Sequence, residues 1–267
     1  MTRTKKPRPR TTERSSVSRV TKRMWRRYLR RFCQVVGVLA MIFAAVYAVY
    51  RHATTSPQYV VPEVVVRGAR TLSAEAIVAH SGITNEDRIF QIPVERVCQQ
   101  LEALPRVKSC CVERFLPNKV RITIQERVAA ATLLVRGRLF EIDNECFVLD
   151  ELALGDECPG PLISGADSMQ PAVGKRLESA VLQVSLRVSE EFSRTDMSKD
   201  VTVAEIAAVS VNDIRMYCDE LPFEVRWGRG DAHLQARRLD IWWEQVGAMS
   251  DFRQYVDLRF GRDVACM

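Results

Sequence analysis

The residues of this chain that could hold a metal or act as nucleophiles are few and scattered. The three histidines, His52, His80 and His233, belong to no HExxH pattern and to no His/Cys ligand cluster. The sequence has neither a GxSxG motif nor a P-loop, and Gly228 and Gly230 lack the third glycine of a dinucleotide-binding fingerprint. We therefore predict no catalytic residue, no metal, no cofactor and no small-molecule substrate.

The eight cysteines are the remaining reactive side chains. Cys33 lies in a long apolar segment, seven lie after it, and no CxxC redox pair occurs. In an oxidising compartment Cys98, on an apolar helix face, could pair with Cys110 on the next strand, and Cys146 could pair with Cys158. Alternatively, several of these side chains are small buried hydrophobic groups. Because seven is odd, at least one thiol stays free or pairs between molecules.

Positive charge is concentrated just before the apolar segment. Residues 1–31 hold thirteen Arg or Lys and one acidic residue, whereas the rest of the chain holds 26 basic and 32 acidic residues. In the segment 32–50, Gln34 is the only strongly polar side chain. At about 1.5 Å of rise per residue, a helix of this length matches the hydrocarbon core of a bilayer. We predict a disordered basic arm over 1–31, a transmembrane helix over 32–50 and a linker over 51–58.

The same charge pattern predicts the orientation of the membrane segment. The run RRYLRR comes directly before it, and only Arg51 and His52 follow it. By the positive-inside bias the N-terminus is cytoplasmic and the rest of the chain is exported. The alternatives are a cleaved signal peptide, whose apolar region is typically about 7 to 15 residues, and a buried core helix, which would show a polar stripe. The basic arm is better suited to setting the membrane topology and to contacting anionic lipid than to binding nucleic acid specifically.

The segment 59–127 has the pattern of a small α+β domain. A β-rich run over 59–66 precedes a helix that Ser73 caps and Gly82 ends. A second helix begins at Pro93. Its predicted buried stripe consists of Val94, Val97, Cys98, Leu101 and Leu104. Two alternating runs separated by LPN then form a hairpin, which completes a β-α-α-β-β order.

The segment 128–260 is predicted to be a second, strand-rich α+β domain with a mostly antiparallel sheet and two helices. The run LLVRGRLFEIDNECFVLD alternates around a turn, and IAAVSV, IRMYCD and FEVRW predict three more strands. The first helix has an apolar face of Leu177, Val181, Val184 and Val188. The second has one of Leu239, Trp242, Trp243 and Val246. Residues 261–267 form a short tail.

The run YVDLRF, residues 255–260, is the last strand that the sequence predicts. Strict alternation separates one face, of Tyr255, Asp257 and Arg259, from the other, of Val256, Leu258 and Phe260. We expect Val256 and Leu258 to lie in the core.

Together these features resemble the FtsQ/DivIB family of bacterial cell-division proteins, whose first exported unit is a POTRA domain. The resemblance is carried by VVVRGARTLSAEAIVAHSGI, LEALPRVKSCCVERFLPNKVRITIQER, LFEIDNECFVL, WGRGD and YVDLRF. It covers nearly all of residues 20–260. The chain departs from the family at Val128, where proline is frequent, in its seven cysteines after the apolar segment and in its short tail.

The resemblance implies a non-enzymatic scaffold in the bacterial inner membrane, with periplasmic domains at the division septum. Such a scaffold recruits FtsB and FtsL homologues and other divisome membrane proteins, and links early to late division proteins. In this family the partner docks by β-augmentation on the terminal strand, so we expect 255–260 to be an open sheet edge. By position, the resemblance implies Tyr255 and Phe260 as contact residues with Asp257 and Arg259 as polar neighbours. For Phe260 the alternation favours the core instead.

Two other classes of protein fit parts of the pattern. A membrane-anchored envelope enzyme would need a deep polar cleft in 128–267 with a perturbed acid or nucleophile. A POTRA-containing export or assembly component would need many more amphipathic strands than roughly 140 residues with two helices supply.

Overall fold

The computed structural model describes residues 17–153, 155–246, 255–261 and 264–266. They form one long N-terminal helix and two sheets, and each sheet has its own apolar core. The predicted fold class, an apolar helix followed by a β-α-α-β-β unit and a strand-rich α+β domain, is confirmed.

The first helix, α1, spans Val17–Thr55. Its stretch Tyr28–His52 is long and apolar enough to cross a bilayer, by length and composition, and none of it is buried against the rest of the chain. That exposure removes the buried core helix as an alternative.

Helix α1 is longer at both ends than the sequence predicts. The prediction of disorder over 1–31 is wrong from residue 17 onward, and the residues before 17 lie outside the described part. The predicted linker 51–58 is helical to Thr55 and continues into a short 3-10 helix at Pro57–Tyr59. Arg and Lys are good helix formers, so an apolar helix propagates readily through basic flanks.

The first sheet has three strands and two helices on one face. Its elements are β1 (Glu63–Arg67), α2 (Ala74–Ser81), α3 (Val94–Glu102), β2 (Val107–Phe115) and β3 (Lys119–Glu126). The central strand β3 is parallel to β1 and antiparallel to β2. As predicted, the Ser73 hydroxyl accepts a hydrogen bond from the Ala76 N–H at 3.1 Å, and Gly82 ends α2 in a left-handed conformation.

The second sheet has nine strands among the described residues. Its elements are β4 (Ala129–Val135), β5 (Arg138–Asp143), β6 (Val148–Leu152), β7 (Leu162–Ser164), α4 (Ala180–Phe192), β8 (Val203–Ser210), β9 (Asp213–Cys218), β10 (Glu224–Gly228), α5 (Ala232–Val246), β11 (Tyr255–Asp257) and β12 (Ala265–Cys266). The strand order is β12-β11-β10-β9-β8-β7-β4-β5-β6. Neighbours are antiparallel except at β4/β7, β7/β8 and β10/β11, so the sheet is mostly antiparallel, as predicted.

Helices α4 and α5 pack on this sheet. Helix α5 buries Leu239 and Trp242, as predicted, while the Val246 side chain lies outside the description. The predicted stripe of α4 is confirmed only in part. Val188 is buried as predicted, but Leu177 precedes the helix, and Leu182, Leu186 and Phe192 provide the rest of the buried apolar face. The apolar pattern was obscured by a buried serine on the same face: the Ser185 hydroxyl donates to the Val181 carbonyl at 3.0 Å.

Ion pairs join the two sheets where the chain passes from β3 to β4. Arg127 Nη1 lies 2.6 Å from Asp143 Oδ2 and 2.9 Å from Glu145 Oε2. Lys108 Nζ, from β2, lies 2.7 Å from Glu145 Oε1. Side chains of the first sheet therefore contact the turn after β5 directly.

Candidate functional site

The run 255–260 is paired on both sides over part of its length. Strand β11 lies parallel to β10, with Val256 opposite Val225. On its other side β12 runs antiparallel, with Asp257 opposite Ala265. The expectation that 255–260 is itself the sheet edge is therefore wrong for these positions, since β12 is the outermost described strand. Two residues are too few for any periodic pattern, so the sequence gives no signal for β12.

Strand β11 ends at Asp257 because the side chain of Asp257 turns the chain. Its Oδ1 accepts a hydrogen bond from the backbone N–H of Arg259 at 2.9 Å, as in an Asx turn. The alternation therefore stops before Phe260. Val256 and Leu258 are fully buried, as predicted, whereas Phe260 is 57% exposed and is not a core residue.

The Asp257 carboxylate also holds the guanidinium of Arg259. Arg259 Nε lies 3.0 Å from each carboxylate oxygen and Nη2 lies 2.6 Å from Oδ2. Burial would raise the pKa of Asp257, but the hydrogen bonds from Arg259 outweigh it and lower the pKa below its ordinary value. Asp257 holds Arg259 in place and is only 1% exposed, so it is not itself the surface neighbour that the resemblance implies.

Arg259 crosses β10 at Gly228. A Cβ atom at Gly228 would lie 2.3 Å from Arg259 Cγ, well inside van der Waals contact. Glycine at this position therefore leaves the space through which the Arg259 side chain runs, and Nη1 of that side chain reaches within 3.6 Å of Asp213 Oδ1 on β9.

Arg238 of α5 fixes the segment that follows β11. Its Nη1 donates to the carbonyls of Phe260 at 2.8 Å and Gly261 at 2.9 Å, and its Nη2 donates to the carbonyl of Leu258 at 2.9 Å. These three hydrogen bonds hold residues 258–261 against α5. We call this segment the shelf.

A groove of about 430 Å³ lies between α5 and this segment. Leu234 and Ile241 contribute exposed apolar side chains, 57% and 52% accessible, and their spacing of seven places them on one side of α5. The charged lining consists of Arg229, Arg237, Arg238 and Arg259, with Asp231 as its one acid. The groove thus combines exposed apolar side chains with a net positive charged lining.

Tyr255 lies at the start of β11, where it is opposite Glu224 of β10. The Arg226 Cζ atom is 3.8 Å from the centroid of the Tyr255 ring, a cation–π contact. Arg226 Nε also donates to Glu224 Oε1 at 2.5 Å. Tyr255 is half-buried, so part of its ring faces the surface.

The structure brings one of the two predicted cysteine pairs together. All four cysteines are thiols, and Cys98 lies beside Cys110, where it contributes to the raised pKa of the Cys110 thiol. Cys146 is fully buried, whereas Cys158 is exposed and its thiol contacts the Asp156 carbonyl at 3.9 Å. Both pairings stay predictions.

Sequence reasoning missed several residues around β11 and β12, the end of the second sheet that we call the terminal edge. These are Gly228, Leu234, Arg238, Ile241, Ala265 and Cys266. One available signal was on α5, where Leu234 and Ile241 are apolar residues off the buried stripe and seven positions apart. The contact between Arg238 and three carbonyls depends on tertiary geometry and leaves no trace in the local sequence.

Comparisons with known proteins show which proteins this chain is similar to. Residues 61–127 match the family model described as POTRA domain, FtsQ-type. The chain is 26% identical over 265 residues to the cell division protein FtsQ of Geotalea daltonii, covering 96% of this chain and 94% of the relative. It is 26% identical over 212 residues to FtsQ of Syntrophotalea carbinolica, covering 78% and 74%. Over nearly its whole length the chain is thus similar to FtsQ/DivIB cell-division proteins. The cell division protein DivIB of Clostridium tetani is 32% identical over 95 residues, 36% of each chain.

The similarity to FtsQ and DivIB proteins confirms the resemblance found in the sequence and supports a role in cell division. The matched POTRA residues, 61–127, correspond to the first sheet and its helices. The N-terminal position of Tyr28–His52 is consistent with an FtsQ/DivIB protein anchored in a membrane by a single helix.

Proposed function

We propose that this FtsQ/DivIB protein is a non-enzymatic divisome scaffold that captures an extended segment of a partner at the outer edge of its second sheet. In this role it recruits FtsB and FtsL homologues and other divisome membrane proteins, and links early to late division proteins. Helix α1 anchors it in the inner membrane at the septum, with the N-terminus cytoplasmic and both sheets periplasmic. The basic residues before the apolar segment support this orientation.

The observation that carries the proposal is the position of β12. It is two residues long, stands at the end of the strand order, and has a described partner strand only on the side of β11. A sheet edge presents N–H and C=O groups that an added strand can pair with. A partner segment laid along β12 would extend the sheet by a tenth strand.

The opposite edge of the sheet is less suited to strand addition. There the Val148 N–H donates to the Lys175 carbonyl at 2.9 Å, and the Gly174 N–H donates to the Val148 carbonyl at 2.9 Å. A loop of the chain itself therefore covers the start of β6. This asymmetry favours the β12 edge.

Side chains around β12 would select the partner. The exposed ring of Phe260 offers an apolar contact, and the groove beside it offers Leu234 and Ile241. Arg259, held by Asp257, would pair with an acidic side chain of the partner. Tyr255 keeps its role as a contact residue, whereas Asp257 acts through Arg259. The partner segment should therefore be acidic and contain apolar side chains that fill the groove.

Binding of a partner segment to the full-length chain in nanodiscs tests this proposal. The probe is the fluorescently labelled exported segment of the same organism's FtsB homologue, and anisotropy gives the affinity. Phe260→Glu should weaken binding by about 30-fold, since truncating an anchoring aromatic side chain typically costs about 2 kcal/mol or more. Tyr255→Ala should weaken it less, because its ring is half-buried.

The control for these variants is Val209→Glu. Val209 lies on β8 of the same sheet, away from the terminal edge, and is 57% exposed, as Phe260 is. The Val209→Glu variant should bind the labelled segment with unchanged affinity. Undiminished binding by both Phe260→Glu and Tyr255→Ala would remove the terminal-edge proposal.

A further inference from the structure

Helix α3 crosses β2 in an orientation that two hydrogen bonds fix. At one end the Cys110 N–H of β2 donates to Glu102 Oε1 at 3.0 Å. At the other end Arg114 Nη2 donates to the Ile92 carbonyl, just before α3, at 2.5 Å. Helix and strand therefore run in opposite directions, with the C-terminal turn of α3 over Cys110.

This arrangement places Cys98 over Cys110. Cys98 and Glu102 are four residues apart and so lie on one side of α3, next to each other. Because the Glu102 carboxylate reaches Cys110, the Cys98 side chain lies on the same side of the helix as the Cys110 strand. On β2, Cys110 and Arg114 share the face toward the helices, since positions two and four apart point to one side of a strand.

Both thiols lie at the rim of the first core. Cys98 and Cys110 are half-buried and pack against its apolar cluster, whereas the next residue, Cys111, is exposed. Burial, followed by the charge of Cys98 and a hydrogen bond with Cys98, raises the pKa of the Cys110 thiol to about 12. The two sulfur atoms therefore lie within interaction distance of each other.

We propose that Cys98 and Cys110 form a structural disulfide in the exported protein, which ties α3 to the edge strand β2. The inference rests on the proposed function in one respect, the placement of the first sheet outside the cytoplasm. The two S–H bonds break and one S–S bond forms. The two electrons and two protons pass to the disulfide of an envelope thiol oxidant, which becomes a dithiol.

The disulfide would stabilise the POTRA unit against unfolding. It closes a loop from 98 to 110 in the unfolded chain, which reduces the entropy of that state. For a domain of this size, reduction should lower the unfolding temperature by on the order of 10 °C.

Mass spectrometry of the full-length chain tests the proposal. Cells that export the protein are quenched in acid, free thiols are blocked, and the tryptic peptides are analysed without reductant. We expect a linked pair that contains Cys98 in one peptide and both Cys110 and Cys111 in the other. Cys111→Ser should keep this linkage and Cys110→Ser should lose it, which assigns the bond to one of two adjacent cysteines.

A second measurement keeps the test valid if a variant folds poorly. The unfolding temperature of the unmodified protein is measured with and without reductant, and a fall of on the order of 10 °C is expected. Purified protein is also treated with glutathione disulfide. Free Cys98 and Cys110 thiols both in cells and after this treatment would overturn the disulfide and leave the partner-binding proposal untouched.

Two further outcomes are decisive. A linkage from Cys98 to Cys111 would overturn the assignment to Cys110. A linkage that forms with glutathione disulfide but is absent from cells would overturn the exported placement of the first sheet, and with it the topology in the proposed function.

Discussion

Asp257 holds Arg259, two residues further along the chain, by both its backbone N–H and its guanidinium. One carboxylate thus ends β11, turns the chain and directs the Arg259 side chain across β10. The pair is asymmetric: the Asp257 side chain is 2% exposed, whereas that of Arg259 is 33% exposed. Asp257 is therefore the anchor, and Arg259 is the group that can meet a partner.

Asp257→Asn tests this relationship. The amide keeps one oxygen for the Arg259 N–H but loses the charge that pairs with the guanidinium, and we expect the free energy of unfolding to fall by about 2–3 kcal/mol. Urea denaturation measures it. Since the folded pKa of Asp257 is lowered, its stabilisation should be present at neutral pH and fade in acid, as the carboxylate becomes protonated.

The control is Glu151→Gln, which breaks the exposed pair between Arg138 Nη2 and Glu151 Oε2. This variant should change stability little, because surface ion pairs contribute little. If the two substitutions lowered the free energy of unfolding equally, Asp257 would contribute no more to stability than an exposed ion pair does, contrary to this account.

Arg238→Met tests the shelf formed after β11. Methionine keeps an apolar stem but removes the hydrogen bonds to the carbonyls of Leu258, Phe260 and Gly261. We expect stability to fall by about 1.5–3 kcal/mol and partner affinity to fall with it, because the exposed Phe260 ring loses its support. Chemical denaturation and the anisotropy assay measure both. Arg187→Met, at an exposed position of α4, is the matched control, and parallel results in the two variants would refute the shelf.

The sequence was informative where side-chain periodicity decides the structure. The hairpin of β2 and β3 follows from the alternation of Val120, Ile122 and Ile124, all of which are buried. The ends of α2 were predicted equally well. The Ser73 side chain caps the N-terminus of the helix, and Gly82 ends it in a left-handed conformation.

The terminal edge was predicted less well, because local interactions there override periodicity. Asp257 bonds to the backbone of Arg259, which breaks the alternation and exposes Phe260. The pairing of β12 with β11 depends on the chain returning after a turn, and two residues carry no pattern of their own. The close approach of Arg259 to Gly228 also could not be predicted, because it depends on tertiary packing and not on a local pattern.

Glu126→Gln should reveal an acid-sensitive contact in the POTRA unit. The N–H groups of Arg70, Thr71 and Leu72 donate to the Glu126 carboxylate at 2.9, 2.9 and 3.0 Å, and the Thr71 hydroxyl donates as well. Burial would raise the pKa of Glu126, but these hydrogen bonds lower it from 4.5 to about 2. We expect a loss of about 1–2 kcal/mol at neutral pH, reduced by partial exposure.

The pH dependence of this loss follows from the lowered pKa. The carboxylate stabilises the fold fully above pH 4.5, and its contribution disappears as the pH falls to about 2. Urea denaturation over this range should show the unmodified protein and Glu126→Gln converging. Glu75→Gln, at an exposed site of α2, is the control. A constant difference across the range would contradict the assignment.

Arg127→Gln tests the connection between the two sheets. The Arg127 guanidinium pairs with Asp143 and Glu145 and lies 4.1 Å from the centroid of the Phe147 ring. Removing it leaves the 7%-exposed Asp143 side chain without its cation, so we expect a loss of about 2–4 kcal/mol and separate unfolding transitions for the two sheets. Calorimetry of the unmodified protein should show closer transitions.

The matched control for that variant is Arg194→Gln, which removes an exposed arginine paired with Glu190 and Glu191 on α4. It should leave the transitions unchanged. Unfolding of Arg127→Gln at the temperatures of the unmodified protein would show that the ion pairs do not couple the sheets.

Amide hydrogen exchange of the full-length chain, with and without the labelled FtsB-homologue segment, tests the central claim most directly. If a partner strand adds to β12, exchange at Ala265 and Cys266 should slow on binding, while exchange across Val148–Leu152 of β6 stays the same. Binding that leaves Ala265 and Cys266 unchanged, or that slows exchange at β6 instead, would contradict strand addition at the terminal edge.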